Sequence, residues 1–253
     1  MPPNTLRKAT ARGKESPAFM KRTRIYQITG EIVTRSGLHV GGSDDELEIG
    51  GVDLPVIKTP ETEVPYIPGS SLKGRMRSEL ERVHGKYSND NREPCNCCAT
   101  NCPVCRVFGP HKYKPRKKDV NGRSVEDVSN HPGPTRLLVR DAYASGPVAT
   151  ELKTENVIDR HTGQAAHPRK YERVPPGVHF PFQLTLQVMD VDASFTYKDR
   201  NGKDHKAGDA LLSVVCDCLY YVEQTGVGGS LSRGSGEVQF EGLKLDDAEW
   251  KCN

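Results

Sequence analysis

Two stretches of the chain place apolar residues at every second position. Tyr26, Ile28 and Ile32 alternate with polar neighbours, and Phe180, Phe182, Leu184, Leu186 and Val188 repeat the pattern more strictly. A period of two turns one strand face to a core and the other to solvent, so both stretches are predicted strands. Another strand is expected from Arg136 to Tyr143, and a closing one around Val238 and Phe240. Elsewhere the period lengthens. Leu72, Met76, Leu80 and Val83 recur at helical spacing, with Ser70 or Ser71 as expected N-cap and Gly85 as stop, and Leu211, Val215, Cys218 and Val222 mark a second helix. The order strand, helix, several strands, helix, strand predicts an α+β domain of ferredoxin-like architecture.

Two insertions interrupt this order. Residues 86–134 carry clustered cysteines and a basic run, and residues 144–177 are rich in Arg, His, Pro and Gly and read as a protruding hairpin. Turn-forming and charged residues replace periodicity in both, so neither is expected in the core. The 253-residue chain therefore reads as a flexible basic arm over 1–23 and a single domain over 24–253.

Net charge is only +3, but the positive charge is clustered. Arg7, Lys8, Arg12, Lys14, Lys21, Arg22 and Arg24 crowd the start, and Lys112, Lys114, Arg116, Lys117 and Lys118 form a second run. Clustering of this kind suits a polyanion, although a solvated charge run is its ordinary use. There is neither an apolar run near the roughly 18 residues of a membrane span nor an apolar signal-peptide core, so a cytoplasmic protein without a membrane partner is expected.

Of eight cysteines, five lie between Cys95 and Cys105. The pairs Cys95-x-x-Cys98 and Cys102-x-x-Cys105 have zinc-compatible spacing, because a tight turn brings two thiolates onto one ion. A compact structural zinc knuckle is expected, with Cys97, His84 or His111 as alternative ligands. Four sulfur ligands leave no open position, which excludes a hydrolytic zinc centre. Free thiols are the plainer alternative.

The helix near Ser70 begins beside Lys73, Arg75 and Arg77, where free N–H groups, the helix dipole and cations together suit a phosphate; an ordinary capped surface helix is the alternative. The Gly226 to Gly236 loop, with Ser230, Ser232 and Arg233, has more glycine than a turn requires. It follows a helix and enters a strand, the reverse of a dinucleotide fingerprint, and no Walker A sequence occurs.

Several ordered blocks, Gly37-Leu-His-Val-Gly-Gly-Ser43, Ile49-Gly-Gly-Val-Asp-Leu-Pro-Val56, Tyr66-Ile-Pro-Gly-Ser-Ser-Leu-Lys-Gly-Arg-Met-Arg77, Cys102-Pro-Val-Cys-Arg-Val-Phe-Gly109, Glu155-Asn-Val-Ile-Asp-Arg160 and Gly228-Gly-Ser-Leu-Ser-Arg-Gly-Ser-Gly236, span most of the chain. In these blocks the sequence resembles the RAMP superfamily and, within it, the backbone subunit of type III-A (Csm) CRISPR effector complexes. The resemblance implies an RRM-like fold whose copies form a filament along a guide RNA beside other effector subunits. Each copy of that family inserts a thumb-like hairpin, and complementary target RNA is cut once per subunit.

On that resemblance Asp53 is the cleavage aspartate, acting with Mg²⁺ or another divalent cation while the ribose 2′-OH attacks the adjacent phosphate. Read from residues alone, an aspartate beside glycines is ordinarily a turn residue or cap. Ser70, Ser71, Lys73, Arg77, Ser230, Ser232 and Arg233 are expected to hold RNA, with Arg160 on the hairpin. His39 contacts RNA or serves as a structural histidine. A non-catalytic guide-binding scaffold is the competing function. A guide-processing endonuclease lacks a histidine in the expected general-base setting.

Overall fold

The computed structural model describes residues 20–41, 54–86, 93–99, 101–111, 116–118, 124–126 and 133–252, with backbone only at 116–118, 124–126 and 166–167. Asp53, the arm before Met20, and Lys112 and Lys114 of the second basic run lie outside them. In chain order the elements begin with β1 (Arg22–Thr34), β2 (Tyr66–Ile67), α1 (Gly69–Val83), α2 (Pro103–Phe108), β3 (Arg116–Lys118), β4 (Ser124–Glu126), β5 (Leu137–Val139) and β6 (Ala142–Tyr143). They continue with β7 (Glu151–Ile158), β8 (Ala165–Arg173), β9 (His179–Met189), β10 (Thr196–Lys198), β11 (Asp204–Lys206), α3 (Ala207–Thr225), β12 (Val238–Leu245) and β13 (Ala248–Glu249).

The main sheet is antiparallel with strand order β13-β12-β1-β9-β5. Leaving out the short edge strand β13, this is the fourth-first-third-second order of a ferredoxin-like domain, with α1 and α3 packed together over one face. Register explains the alternating pattern: Tyr26 faces Leu186, Ile28 faces Leu184 and Ile32 faces Phe180, all on the helix-covered side. All six are buried. The other face carries polar cross-strand pairs, Gln183 to Gln27 at 2.9 Å and His179 to Glu31 at 2.7 Å. None of its β1 and β9 positions holds a Phe, Tyr or Trp on which a base could stack, unlike the usual RRM platform.

Several boundaries differ from expectation. Helix α1 starts at Gly69 with Pro68 at the N-cap, and neither Ser70 nor Ser71 caps it. Gly69 donates its N–H to Asp141 Oδ1 at 2.7 Å, and a Cβ there would lie 2.4 Å from the Val139 carbonyl oxygen, so close packing sets the start. Val83, expected on the apolar stripe, is exposed because it falls at the helix end, while Gly85 takes the positive φ of a helix stop. The strand expected over Arg136 to Tyr143 divides into β5 and β6, which pair in different sheets. Asp141, between them, is the residue that holds the α1 start.

Part of the first insertion is core, contrary to expectation. All six residues of α2 are buried, and Val104, Cys105 and Val107 are fully so. An ionic cluster fixes this helix. Asp192 accepts from Arg136 Nε at 2.7 Å, Arg136 Nη2 at 2.9 Å, Arg106 Nη1 at 3.3 Å and the Met189 N–H at 2.8 Å. Cys216 on α3 and Cys252, 36 residues later, bring their sulfurs together, a juxtaposition that spacing had left unassigned. No helix among the described residues is long and apolar enough to cross a membrane.

Candidate nucleic-acid interface and metal centre

Two segments separated by almost the whole chain interlock at one end of the sheet. The glycine loop after α3 crosses itself where Val227 donates to the Gly236 carbonyl at 2.8 Å, and Gly236 donates in turn to Gly37 at 2.9 Å. Gly229 donates to the His39 carbonyl at 2.8 Å. A Cβ on Gly228, where φ is +84°, would sit 2.2 Å from that same oxygen. Only glycine permits this approach. Ser232 and Arg233 remain exposed on the short turn Leu231–Arg233, and Ser230 adopts a left-handed conformation at its start. The loop thus offers polar side chains from a backbone that is itself well tied down.

His39 is buried, its Nδ1 2.7 Å from the Glu172 carbonyl oxygen and its ring edge-on to Tyr171. It sits under the interface rather than projecting from it. Tyr171 and Glu172, which the sequence reading passed over, organise the base of the β7–β8 hairpin. The Tyr171 hydroxyl lies 3.2 Å from both Ser235 Oγ and Glu155 Oε1. Arg233 bonds Glu155 at 2.6 Å and Lys153 donates to the Arg233 carbonyl at 3.0 Å, so hairpin and glycine loop meet along one seam. Arg233 is the leading cause holding the Glu155 carboxyl below its usual pKa. Arg160 stands exposed in the hairpin turn, where Asp159 accepts the N–H groups of His161 and Thr162.

The chain leaving Asp53 is fixed against the same hairpin. Leu54 accepts the Glu172 N–H at 2.9 Å, and the Glu172 side chain accepts the Val56 N–H at 2.9 Å and Lys58 at 2.6 Å, with Thr150 as a third donor. Burial pushes the Glu172 pKa up, but Lys58, Thr150 and Val56 together outweigh it and hold the group below its ordinary value. Gly41, on the other side of the undescribed residues, bridges to Val56. Both ends of segment 42–53 are therefore anchored beside the glycine loop.

The cations of α1 divide. Ser70 is exposed and Ser71 half-buried in the first turn, and Lys73 donates to Thr135 Oγ1 at 3.2 Å. Burial first, then the charge of Arg77, lowers the Lys73 pKa. Arg77 is turned inward, bonded to Glu81 at 2.8 Å and to the Cys95 carbonyl at 2.7 Å. Glu81 also accepts the Cys95 N–H at 2.9 Å, so these two residues hang the cysteine loop from the helix.

In that loop Cys95, Cys97, Cys102 and Cys105 place their sulfurs within 4.8 Å of one another. Four of the separations are 3.6, 3.9, 3.8 and 3.9 Å. A tetrahedral zinc with Zn–S bonds of about 2.3 Å requires sulfurs about 3.8 Å apart, so the geometry fits. Cys98, expected as a ligand, instead turns its sulfur to the Asn96 carbonyl at 3.2 Å from a backbone φ of +51°. Cys97 takes its place. His84 lies against Tyr197 at 3.4 Å and His111 is exposed at the end of the segment; neither joins the four sulfurs. Donation from Cys105 above all, with Cys97 and Cys95, draws the Cys102 thiol down to about 5, whereas burial pushes Cys95 up to about 11.

Fold and site together define a ferredoxin-like domain with a glycine-lined loop, a hairpin docked beside it and a four-cysteine cluster in an insertion. The sequence profile of the RAMP superfamily matches residues 31–239, and the chain belongs to that superfamily. Among its relatives, the "CRISPR system Cms endoribonuclease Csm3" of Methanothermobacter thermautotrophicus is 38% identical over 249 residues, covering 89% of this chain and 87% of the relative. The protein of the same name from Streptococcus thermophilus is 34% identical over 227 residues, covering 86% and 88%. Of solved structures, a Csm3–Csm4 subcomplex of a type III-A CRISPR-Cas interference complex superposes with a TM-score of 0.50 at 24% identity, over 89% of this chain and 80% of that one. A type III-B Cmr-beta complex bound to cognate target RNA gives 0.54 at 17%, over 87% and 60%. At these identities the structural likeness speaks to the fold.

Proposed function

We propose that this chain is the backbone subunit of a type III CRISPR ribonucleoprotein. It holds guide RNA, stacks with further copies of itself beside other effector subunits, and cuts target RNA complementary to the guide. The observation that carries the reading is the interlock of the glycine loop with residues 37–41 and the hairpin base, against which the chain leaving Asp53 is anchored. Relatives named as endoribonucleases support the activity. Ser70, Ser71, Lys73, Ser230, Ser232 and Arg233 offer hydroxyls and cations to backbone phosphates, and Arg160 reaches out on the hairpin. Base pairing with the guide supplies sequence specificity.

Asp53 is the catalytic candidate. The ribose 2′-OH attacks the neighbouring phosphorus and loses its proton, the bond from phosphorus to the 5′ oxygen breaks, and that oxygen takes up a proton. A 2′,3′-cyclic phosphate and a 5′-OH remain. A bound divalent cation supplies neutralisation of phosphate charge, and the Asp53 carboxylate suits its orientation. Zinc belongs to the other centre. Cys95, Cys97, Cys102 and Cys105 would hold it with no open position, making it a fold-stabilising ion of the insertion.

The test is cleavage of guide-complementary RNA by the assembled complex, wild type against Asp53→Ala, with Mg²⁺ and with EDTA. Evenly spaced cuts that vanish in the variant and in EDTA are expected. Intact target bound equally by both complexes refutes catalysis and leaves a guide-binding scaffold.

A further inference from the structure

Arg75 belongs to the cluster that sequence alone assigns to phosphate, yet its guanidinium points elsewhere. Nε donates to the Gly226 carbonyl at 2.9 Å and Nη2 to the Thr225 carbonyl at 3.1 Å. Nη2 also lies 3.1 Å from Glu79, a buried carboxylate four residues along α1. Thr225 ends α3 and Gly226 opens the glycine loop. The last carbonyls of a helix lack intrahelical donors and carry the negative end of its dipole, so a cation fixed there by a second helix caps α3 from outside. The capped point is where the loop closes on itself: a Cβ at Gly226 would lie 2.6 Å from the Gly236 carbonyl oxygen.

We propose that Arg75 is a positioning residue for RNA binding, which orients the Gly226 to Gly236 loop by clamping its first carbonyl and contacts no phosphate itself. This rests on the proposed RNA-holding function. It assigns Arg75 and Arg233, both arginines near one loop, to different tasks. Arg233 is two-thirds exposed on the loop surface, whereas the Arg75 side chain is 19% exposed, with three protein partners.

Salt dependence separates the two roles, because each phosphate contact removed from a single strand lowers the slope of log affinity against log salt by about 0.7. Binding of a single-stranded RNA to the full chain is measured across a salt series for wild type, Arg75→Met, Arg75→Lys and Arg233→Met. Amide exchange is followed well below the melting temperature. Arg75→Met is expected to weaken binding about tenfold with an unchanged slope and to expose the Val227 and Gly229 amides selectively; Arg233→Met lowers the slope. Arg75→Lys, which keeps charge and one donor head, restores part of both. If Arg75→Met does not fold, Arg75→Lys is judged by the same two readings. A slope lowered by about 0.7 with loop amides still protected makes Arg75 a phosphate ligand and overturns the proposal. Unchanged affinity and protection overturn it as well. Failure of wild type to bind RNA refutes the function instead, while the exchange data still report the clamp.

Discussion

Removing the Asp192 carboxylate tests whether the first insertion is truly built into the core. Asp192→Ala deletes the common acceptor of four hydrogen bonds, three from guanidinium groups. Arg136 and Asp192 have no exposed side-chain surface, and Arg106 is only 5% exposed, so water does not take the place of the missing carboxylate. Breaking a buried ion pair from one side costs about 3–5 kcal/mol, because the partner charge stays desolvated. Two arginines lose this acceptor at once, so a loss within that range is expected. Against a typical total of about 5–15 kcal/mol this is severe, and at about 2–4 °C per kcal/mol it lowers the melting temperature by roughly 6–20 °C. Urea unfolding of the purified chain, with m checked for constancy, measures it. The triple variant Arg106→Met, Arg136→Met, Asp192→Leu removes all three charges together and is expected to recover most of the loss. A single-variant loss below about 1 kcal/mol would show that the cluster is hydrated, and the buried-triad argument would fail.

The four-cysteine cluster predicts an asymmetry between neighbours: Cys97→Ser should lose most bound zinc by metal analysis and Cys98→Ser should keep it, and equal retention would return Cys98 to the ligand set. Gly228→Ala forces a Cβ to within 2.2 Å of the His39 carbonyl at a φ of +84°, so RNA affinity should drop at least about tenfold, and wild-type binding would mean the interlock does not shape the interface. Glu172 has a folded pKa below its ordinary value of 4.5, so its contribution is fully present above that value and lost as pH falls through the folded pKa. Acid should therefore loosen the hairpin base, read as exchange of the Val56 amide, and Glu172→Gln should remove most of that acid dependence. An identical pH profile in the variant would assign the loosening to other groups.

The parts of this molecule that were legible in advance obey local rules, and the parts that were not depend on contacts between distant residues. Alternation in β1 and β9 sufficed because one side of each strand faces α1 and α3 along its length. Helix α2 escaped notice because six residues carry too little periodicity, and because its burial depends on Asp192 and Arg136, far along the chain. Gly69 took the helix start from Ser70 through a close approach to Val139 that no capping preference records. Two-residue spacing selected Cys98 over Cys97, whereas the structure groups the Cys97 sulfur with the other three and gives Cys98 a left-handed backbone angle. Tyr171 and Glu172 lie in a segment read only as a protruding hairpin, and their partners at Ser235, Val56 and Lys58 are distant in sequence.

The α1 cations are the instructive case, since a signal was present. Arg75 precedes Glu79 by four residues and Arg77 precedes Glu81 by four, the spacing at which helical neighbours pair, and both pairs form at 3.1 and 2.8 Å. Lys73 has an arginine at its i+4 position and therefore no such internal partner. A positive cluster at a helix start is thus better read after subtracting those cations with a carboxylate one turn onward. Applied here, that subtraction leaves Lys73, with the serines of the first turn, as the candidate phosphate ligands of the proposed function. It frees Arg75 and Arg77 to tie down the glycine loop and the cysteine loop.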